Sequence, residues 1–168
     1  IEDGKIIDSG DTQDLLSRFR SRADVIDLPG MVIIPGLTDA HIHLDYYSQG
    51  LQQIDCETPT LQECLQKVAE HAATQAEGTW ILGHGWNQNN WSQGFGSAAD
   101  LDAVAPHHPV YLTAKSLHAA WANSAALQRA GIHASTPDPR GGQLGRNSRG
   151  ELNGILFESA MELVARVI

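Results

Sequence analysis

The chain has 168 residues, 42% of them hydrophobic, and a formal net charge of −9. That is one domain's worth of length, with no apolar run long enough to span a bilayer. The eleven basic residues are scattered, which sets aside nucleic acid and anionic membranes as partners, because both require clustered Lys and Arg.

Cys56 and Cys64 are the only cysteines and form no CxxC pair, which fits a reducing, cytoplasmic setting. No basic segment followed by an apolar one opens the chain, so a signal peptide is not expected. Ile1 stands without an initiator Met, and any upstream signal would be out of view.

Residues 1–35 read as short strands. A turn at Asp3 and Gly4 precedes strand-like residues 5–7, and residues 25–28 and 31–34 follow, with a brief helix over 14–20 between them. Pro35 and Gly36 punctuate the passage into a strand over 36–44. On that strand alternate residues share a face, so Leu37, Asp39, His41 and His43 point one way and Thr38, Ala40, Ile42 and Leu44 the other. Two imidazoles side by side suit zinc or a similar cation. Paired histidines at a strand end also serve simply as hydrogen-bonding groups, and the spacing alone does not choose.

Thr60 opens a helix through a capping box with Glu63. Leu61, Leu65, Val68, Ala69 and Ala72 give that helix one apolar stripe, and Gly78 ends it. Strands follow at 80–86 and 110–114. Asn123 caps a helix that runs to a stop at Gly131. Pro137, Pro139, Gly141, Gly142, Gly145 and Gly150 mark a loop or hairpin. A short strand at 155–157 leads to a second capping box, Ser159 with Glu162, at the head of the terminal helix. The alternation of strands and helices predicts a parallel α/β fold.

The opening run, DGKI at 3–6, IDLPG at 26–30 and IPGLTDAHIH at 34–43, resembles the start of the amidohydrolase superfamily. Later text narrows the likeness to the branch similar to N-substituted formamide deformylase and the YtcJ-like proteins. It includes GHGWN at 83–87, LDAVAP at 101–106, HAAWANSAAL at 118–127, TPDP at 136–139 and GELNGILFE at 150–158. The resemblance implies metal-dependent hydrolysis on a (β/α)8 barrel joined to a small β-sandwich. Residues 1–35 would then be part of the sandwich and 36–168 the N-terminal portion of the barrel. A complete barrel needs about 250 residues, so this chain would supply only its first strands. We therefore expect a fragment of a longer enzyme, completed by the rest of its own barrel or by another chain, with a homo-oligomer as a further arrangement.

Barrel sites form at the C-terminal ends of strands, which selects a short list. The resemblance makes His41 and His43 ligands of one or two divalent ions, with zinc expected, and Asp39 and Asp45 secondary candidates near them. It makes His118 a catalytic residue that contacts the substrate or its developing oxyanion. Glu158, at a strand-to-helix junction, is a second catalytic candidate that would bind metal or position an amine; its bland alternative is a carboxylate favouring a helix N-terminus. His84, Trp86 and Trp91 are expected to wall the pocket. Lys115 is the lone lysine near a strand end. Asn87 replaces an acid common in the family, which removes a charge-based guide to substrate. His71, His107, His108 and His133 read as surface residues.

The expected reaction is hydrolysis of a non-peptide C–N bond, in an amide, formamide or cyclic amide, by metal-activated water. The expected partner is a small-molecule substrate. The alternatives are a deaminase or imidazolonepropionase-like hydrolase of the same superfamily, or a non-catalytic binding module.

Overall fold

The computed structural model describes residues 1–32, 36 and 44–168. The chain divides into two compact units, Ile1–His41 and Ile42–Ile168.

In the first unit, helix α1 spans Thr12–Phe19, close to its expected position. Asp11 caps it by accepting from the backbone amides of Gln13 at 2.8 Å and Asp14 at 3.3 Å. Arg18 in its last turn pairs with Asp8 and Asp14. The Asp3–Gly4 turn is present, both residues at positive φ and closed by reciprocal backbone bonds between Glu2 and Lys5. The expected strands over 5–7 and 25–28 do not form. A strand needs a neighbour to complete its ladder, and among the described residues these segments form only the single bridge of Lys5 to Glu2; Ile6 is 69% and Ile26 is 79% exposed. The third, over 31–34, and the expected strand over 36–44 fall largely outside the described residues.

The second unit begins with a helix that the sequence reading lacks, α2 over Leu44–Gly50. Then come β1 (Ile54–Asp55), α3 (Leu61–Ala72), β2 (Ile81–Trp86) and α4 (Ala98–Val104). Strands β3 (Val110–Ala114) and β4 (Ala119–Ala122) lead into α5 (Ser124–Arg129). Strands β5 (Gly142–Arg146) and β6 (Leu152–Glu158) precede α6 (Met161–Ala165). The Thr60 hydroxyl accepts from the Glu63 amide at 3.2 Å and donates to the Glu63 carboxylate, so α3 starts as expected. It stops at Ala72, and Gly78 (φ +81°) lies beyond in a separate turn, where its amide donates to the His107 carbonyl.

The strands make one six-stranded sheet in the order β1-β2-β3-β4-β6-β5. Pairs β1–β2 and β2–β3 are parallel, while β3–β4, β4–β6 and β6–β5 are antiparallel. The expected all-parallel arrangement is therefore corrected to a mixed sheet. The reason is loop length: only residues 115–118 separate β3 from β4, and a parallel return needs a dozen or more. Of the loop or hairpin expected over 137–150, the structure has the hairpin: β5 pairs antiparallel with β6. A Cβ on Gly142 would come within 2.3 Å of the Ala160 amide nitrogen and 2.8 Å of the Phe157 carbonyl oxygen, so close backbone approach explains that glycine.

Helices cover both faces. Val110, Leu112, Trp86 and Trp121 pack with Leu61, Val68 and Leu101 of α3 and α4, whereas Tyr111, Ala120 and Leu156 pack with Leu127 and Val164 of α5 and α6. Alternate residues of β3 thus serve opposite layers. Cys56 and Cys64 are buried in the first layer; the Cys56 thiol, donating to the Cys64 sulfur, is pushed up while Cys64 is held down. In the second, burial pushes the Tyr111 phenol up to about 12. Between the layers Asn123 is fully buried: its Oδ1 accepts from the Val110 and Ala126 amides and its Nδ2 donates to the His108 carbonyl. No helix among the described residues is long and apolar enough to cross a membrane.

Candidate active site

Two antiparallel steps, β3 to β4 and β4 to β6, return β6 to the direction of β3. The C-terminal ends of β1, β2, β3 and β6 therefore lie at one end of the sheet. His118, just before β4, and Glu158, the last residue of β6, meet there. Ladder pairing of Ala119 with Phe157 sets them side by side, and the Glu158 amide donates to the His118 carbonyl at 3.1 Å. Their side chains also meet, with His118 Nδ1 3.1 Å and 3.2 Å from the two carboxylate oxygens of Glu158. Both are largely exposed.

The backbone on either side of this pair is unusual. Three described non-glycine residues have positive φ, namely Asp3, Leu117 at 63° and Glu158 itself at 51°. The left-handed region costs an L-residue with a Cβ about 1–2 kcal/mol, and such outliers gather at functional sites. Two of the three adjoin or form the His118–Glu158 contact.

An ion pair lies at the same end of the sheet. Lys115, immediately after β3, pairs with Glu57, two residues beyond β1. The Lys115 amide donates to the Trp86 carbonyl at 2.9 Å, and Asp55 Oδ1 accepts from the Glu57 amide at 2.9 Å. Glu57 escaped the sequence reading because β1 is only two residues long in a polar stretch.

Several expectations change. Trp86 and Trp91 do not wall an open pocket; they are 1% and 4% exposed and pack with Trp121 in an aromatic cluster. Their indole N–H groups donate to the carbonyls of Leu112 and Thr58, so each large ring is satisfied inside the core. His84 is half-buried, its Nε2 3.3 Å from the Gly50 carbonyl oxygen. Asn87 caps the short 3-10 turn Gln88–Asn90. His108 is buried rather than on the surface, with Nδ1 3.1 Å from the Thr79 carbonyl oxygen. Ser159 does not cap α6. Its hydroxyl donates to the Arg140 carbonyl at 2.8 Å, and α6 begins after Ala160 without a side-chain cap.

The metal-ligand candidates His41 and His43, together with Asp39, lie outside the described residues, as does the Asp45 side chain. Among the described residues no three His, Cys, Asp or Glu side chains gather to hold a metal ion. A groove of about 500 Å³ lined by Gln49, Gln52, His71, Gln75 and Trp80 opens near the start of β2. It lies away from the strand ends that carry His118 and Glu158.

Residues 24–168 match the sequence model of the Amidohydrolase family. This chain belongs to that family. It is 34% identical over 171 residues to YtcJ of Bacillus subtilis, covering 100% of this chain and 32% of that protein. It is also 34% identical over 168 residues to the N-substituted formamide deformylase of Arthrobacter pascens, covering 98% and 31%. A solved structure of an uncharacterized metal-dependent hydrolase from Pyrococcus horikoshii superposes with a TM-score of 0.58 at 25% identity, covering 100% of this chain and 31% of that one. The chain spans about a third of the length of the curated relatives it matches.

Proposed function

We propose that this amidohydrolase-family chain carries part of the active site of a metal-dependent hydrolase that opens a non-peptide C–N bond in an amide, formamide or cyclic amide. In this reading residues 1–35 belong to a small β-sandwich, and residues 36–168 are the first strands of a (β/α)8 barrel that further chain completes. The exposed apolar side chains of Ile6 and Ile26 suit a sandwich that takes further strands. Parallel β1, β2 and β3 suit the opening of a barrel.

The observation that carries the proposal is the His118–Glu158 pair. Glu158 accepts from His118 Nδ1, so the neutral imidazole presents a bare Nε2 lone pair and the protonated one presents an Nε2 N–H. His118 can therefore take a proton at Nε2 and return it to a leaving amine, with Glu158 holding the ring and stabilising the imidazolium. As a donor to a developing oxyanion, His118 must first be protonated, because its other nitrogen is committed to Glu158.

One imidazole and one carboxylate are suitable donors for a divalent ion, yet two donors fall short of a tetrahedral shell. We assign His41 and His43 as the principal metal ligands in this chain, with one or two zinc ions as the cofactor. When bound, such an ion lowers the pKa of its water toward ~7 and polarises the substrate carbonyl.

The test uses the full-length, zinc-loaded protein on a panel of amides, formamides and cyclic amides. His118→Gln should lower kcat about 10²–10⁴-fold and Glu158→Gln about 10–100-fold, with little change in Tm because both side chains are exposed. Chelation should abolish turnover and zinc should restore it. Unchanged turnover in His118→Gln, or in chelated protein, would remove the basis of the proposal.

A further inference from the structure

We propose that Leu117 is a specificity residue that contacts an apolar substituent of the substrate beside His118. The inference rests on the hydrolase reading above and deepens it.

Residues 115–118 reverse the chain between β3 and β4. The Leu117 amide donates to the Ala114 carbonyl at 3.0 Å, closing a four-residue turn, and Leu117 then sits at φ 63°. A turn followed by a left-handed residue is an ordinary hairpin connection, and its left-handed position favours Gly or Asn because neither pays the full Cβ penalty. Here a leucine occupies it. The same leucine is 64% exposed and belongs to neither apolar cluster of the core. Among the described residues it gains no core packing that would offset the conformation. A single exposed leucine needs no explanation, and neither does a single left-handed residue with a short polar side chain. A large aliphatic side chain that is both strained and exposed, one residue from a candidate catalytic histidine, departs from local rules where a functional site is expected to.

The occupant follows from the chemistry of the neighbour. Water and proton transfer at His118 require the scissile carbonyl and amine close to its imidazole. A group attached to that nitrogen or acyl carbon then lies within reach of residues bracketing His118. The flank opposite Leu117 continues into the buried strand β4, so Leu117 is the exposed apolar residue adjoining His118 in the chain. It fits an aliphatic or aryl N-substituent, not a charged one.

The experiment compares two probes, N-butylformamide and formamide, on the full-length zinc-loaded protein and on its Leu117→Gly and Leu117→Asn variants. Both replacements suit the left-handed position, so folding should be preserved and Tm should hold or rise. The ratio of kcat/KM for N-butylformamide to that for formamide should fall about tenfold in both variants, mainly through KM for the butyl compound. An unchanged ratio overturns the inference while leaving the hydrolase reading intact. A lower Tm with parallel losses on both probes also overturns it, since Leu117 would then be covered by protein. If the parent hydrolyses neither these formamides nor any amide on the panel, the functional reading fails and this inference fails with it.

Discussion

Asn123→Ala should be among the most destabilising single changes in this chain. Asn123 is fully buried and makes three side-chain hydrogen bonds, accepting at 2.9 Å from Val110 and 3.0 Å from Ala126 and donating at 2.8 Å to His108. Alanine removes all three and leaves two amides and one carbonyl without partners. Val110 and Ala126 are themselves fully buried, so water does not readily replace the lost acceptor. An unsatisfied buried group costs about 1–3 kcal/mol, and loss of a helix N-cap alone costs about 0.5–2 kcal/mol. The effects overlap at Ala126, which leaves a total of at least about 3 kcal/mol, a large share of the ~5–15 kcal/mol that holds a typical domain together. At ~2–4 °C per kcal/mol for a domain of this size, Tm should fall by about 10 °C. Asn123→Ser should lie between, because a hydroxyl can still cap α5 but is too short to serve Val110 and His108 as well. Urea unfolding followed by far-UV CD reads both variants. A loss below about 1 kcal/mol for Asn123→Ala at unchanged m-value would refute the reasoning that these bonds are shielded from water.

Two further outcomes are expected. The Tyr111 phenol is raised to about 12 by burial, against about 10 in an unfolded chain. Its contribution to stability is therefore present below pH 10 and lost as pH rises from there through about 12, and Tyr111→Phe should flatten the unfolding free energy across that window. Gly142→Ala places a methyl against the Ala160 nitrogen and the Phe157 carbonyl. It should cost about 1–3 kcal/mol by overpacking, seen as a lower urea midpoint, and should loosen β5 from β6 next to Glu158, seen as faster amide exchange at Gln143, which pairs with Phe157.

Local rules made much of the fold legible. The Thr60 and Asn123 caps fall where the sequence places them because each rests on a bond three residues away, and β3 does so because Val110, Tyr111 and Thr113 are strand-favouring residues. Strand β4 was not legible: residues 119–122 are all buried, and a short, uniformly apolar run has no period that separates strand from helix. The Ser159 cap failed for the opposite reason. The local signature is present, but the hydroxyl finds a better acceptor at Arg140, nineteen residues away in sequence. His118 and Glu158 stood out one at a time, each at a strand end. Their meeting depends on β4–β6 pairing across forty residues, which no local pattern encodes, and the left-handed backbone at Leu117 and Glu158 has no signature in residues that ordinarily avoid it. Trp86 and Trp91 were misjudged because an aromatic ring with a polar tip suits a pocket wall and a satisfied core position equally well.

The aromatic cluster also gives the molecule an optical handle. Three of its four tryptophans, Trp86, Trp91 and Trp121, have ring centroids 6.0–6.4 Å apart, close enough for their excited states to couple, while Trp80 lies apart beneath the Arg129 guanidinium. The Trp86 carbonyl holds the amide of Lys115, so the coupled trio is wired by one hydrogen bond to the turn that carries Leu117 and His118. A ligand that shifts that turn should change the exciton couplet in the near-ultraviolet circular dichroism, and occupancy could be followed without any label.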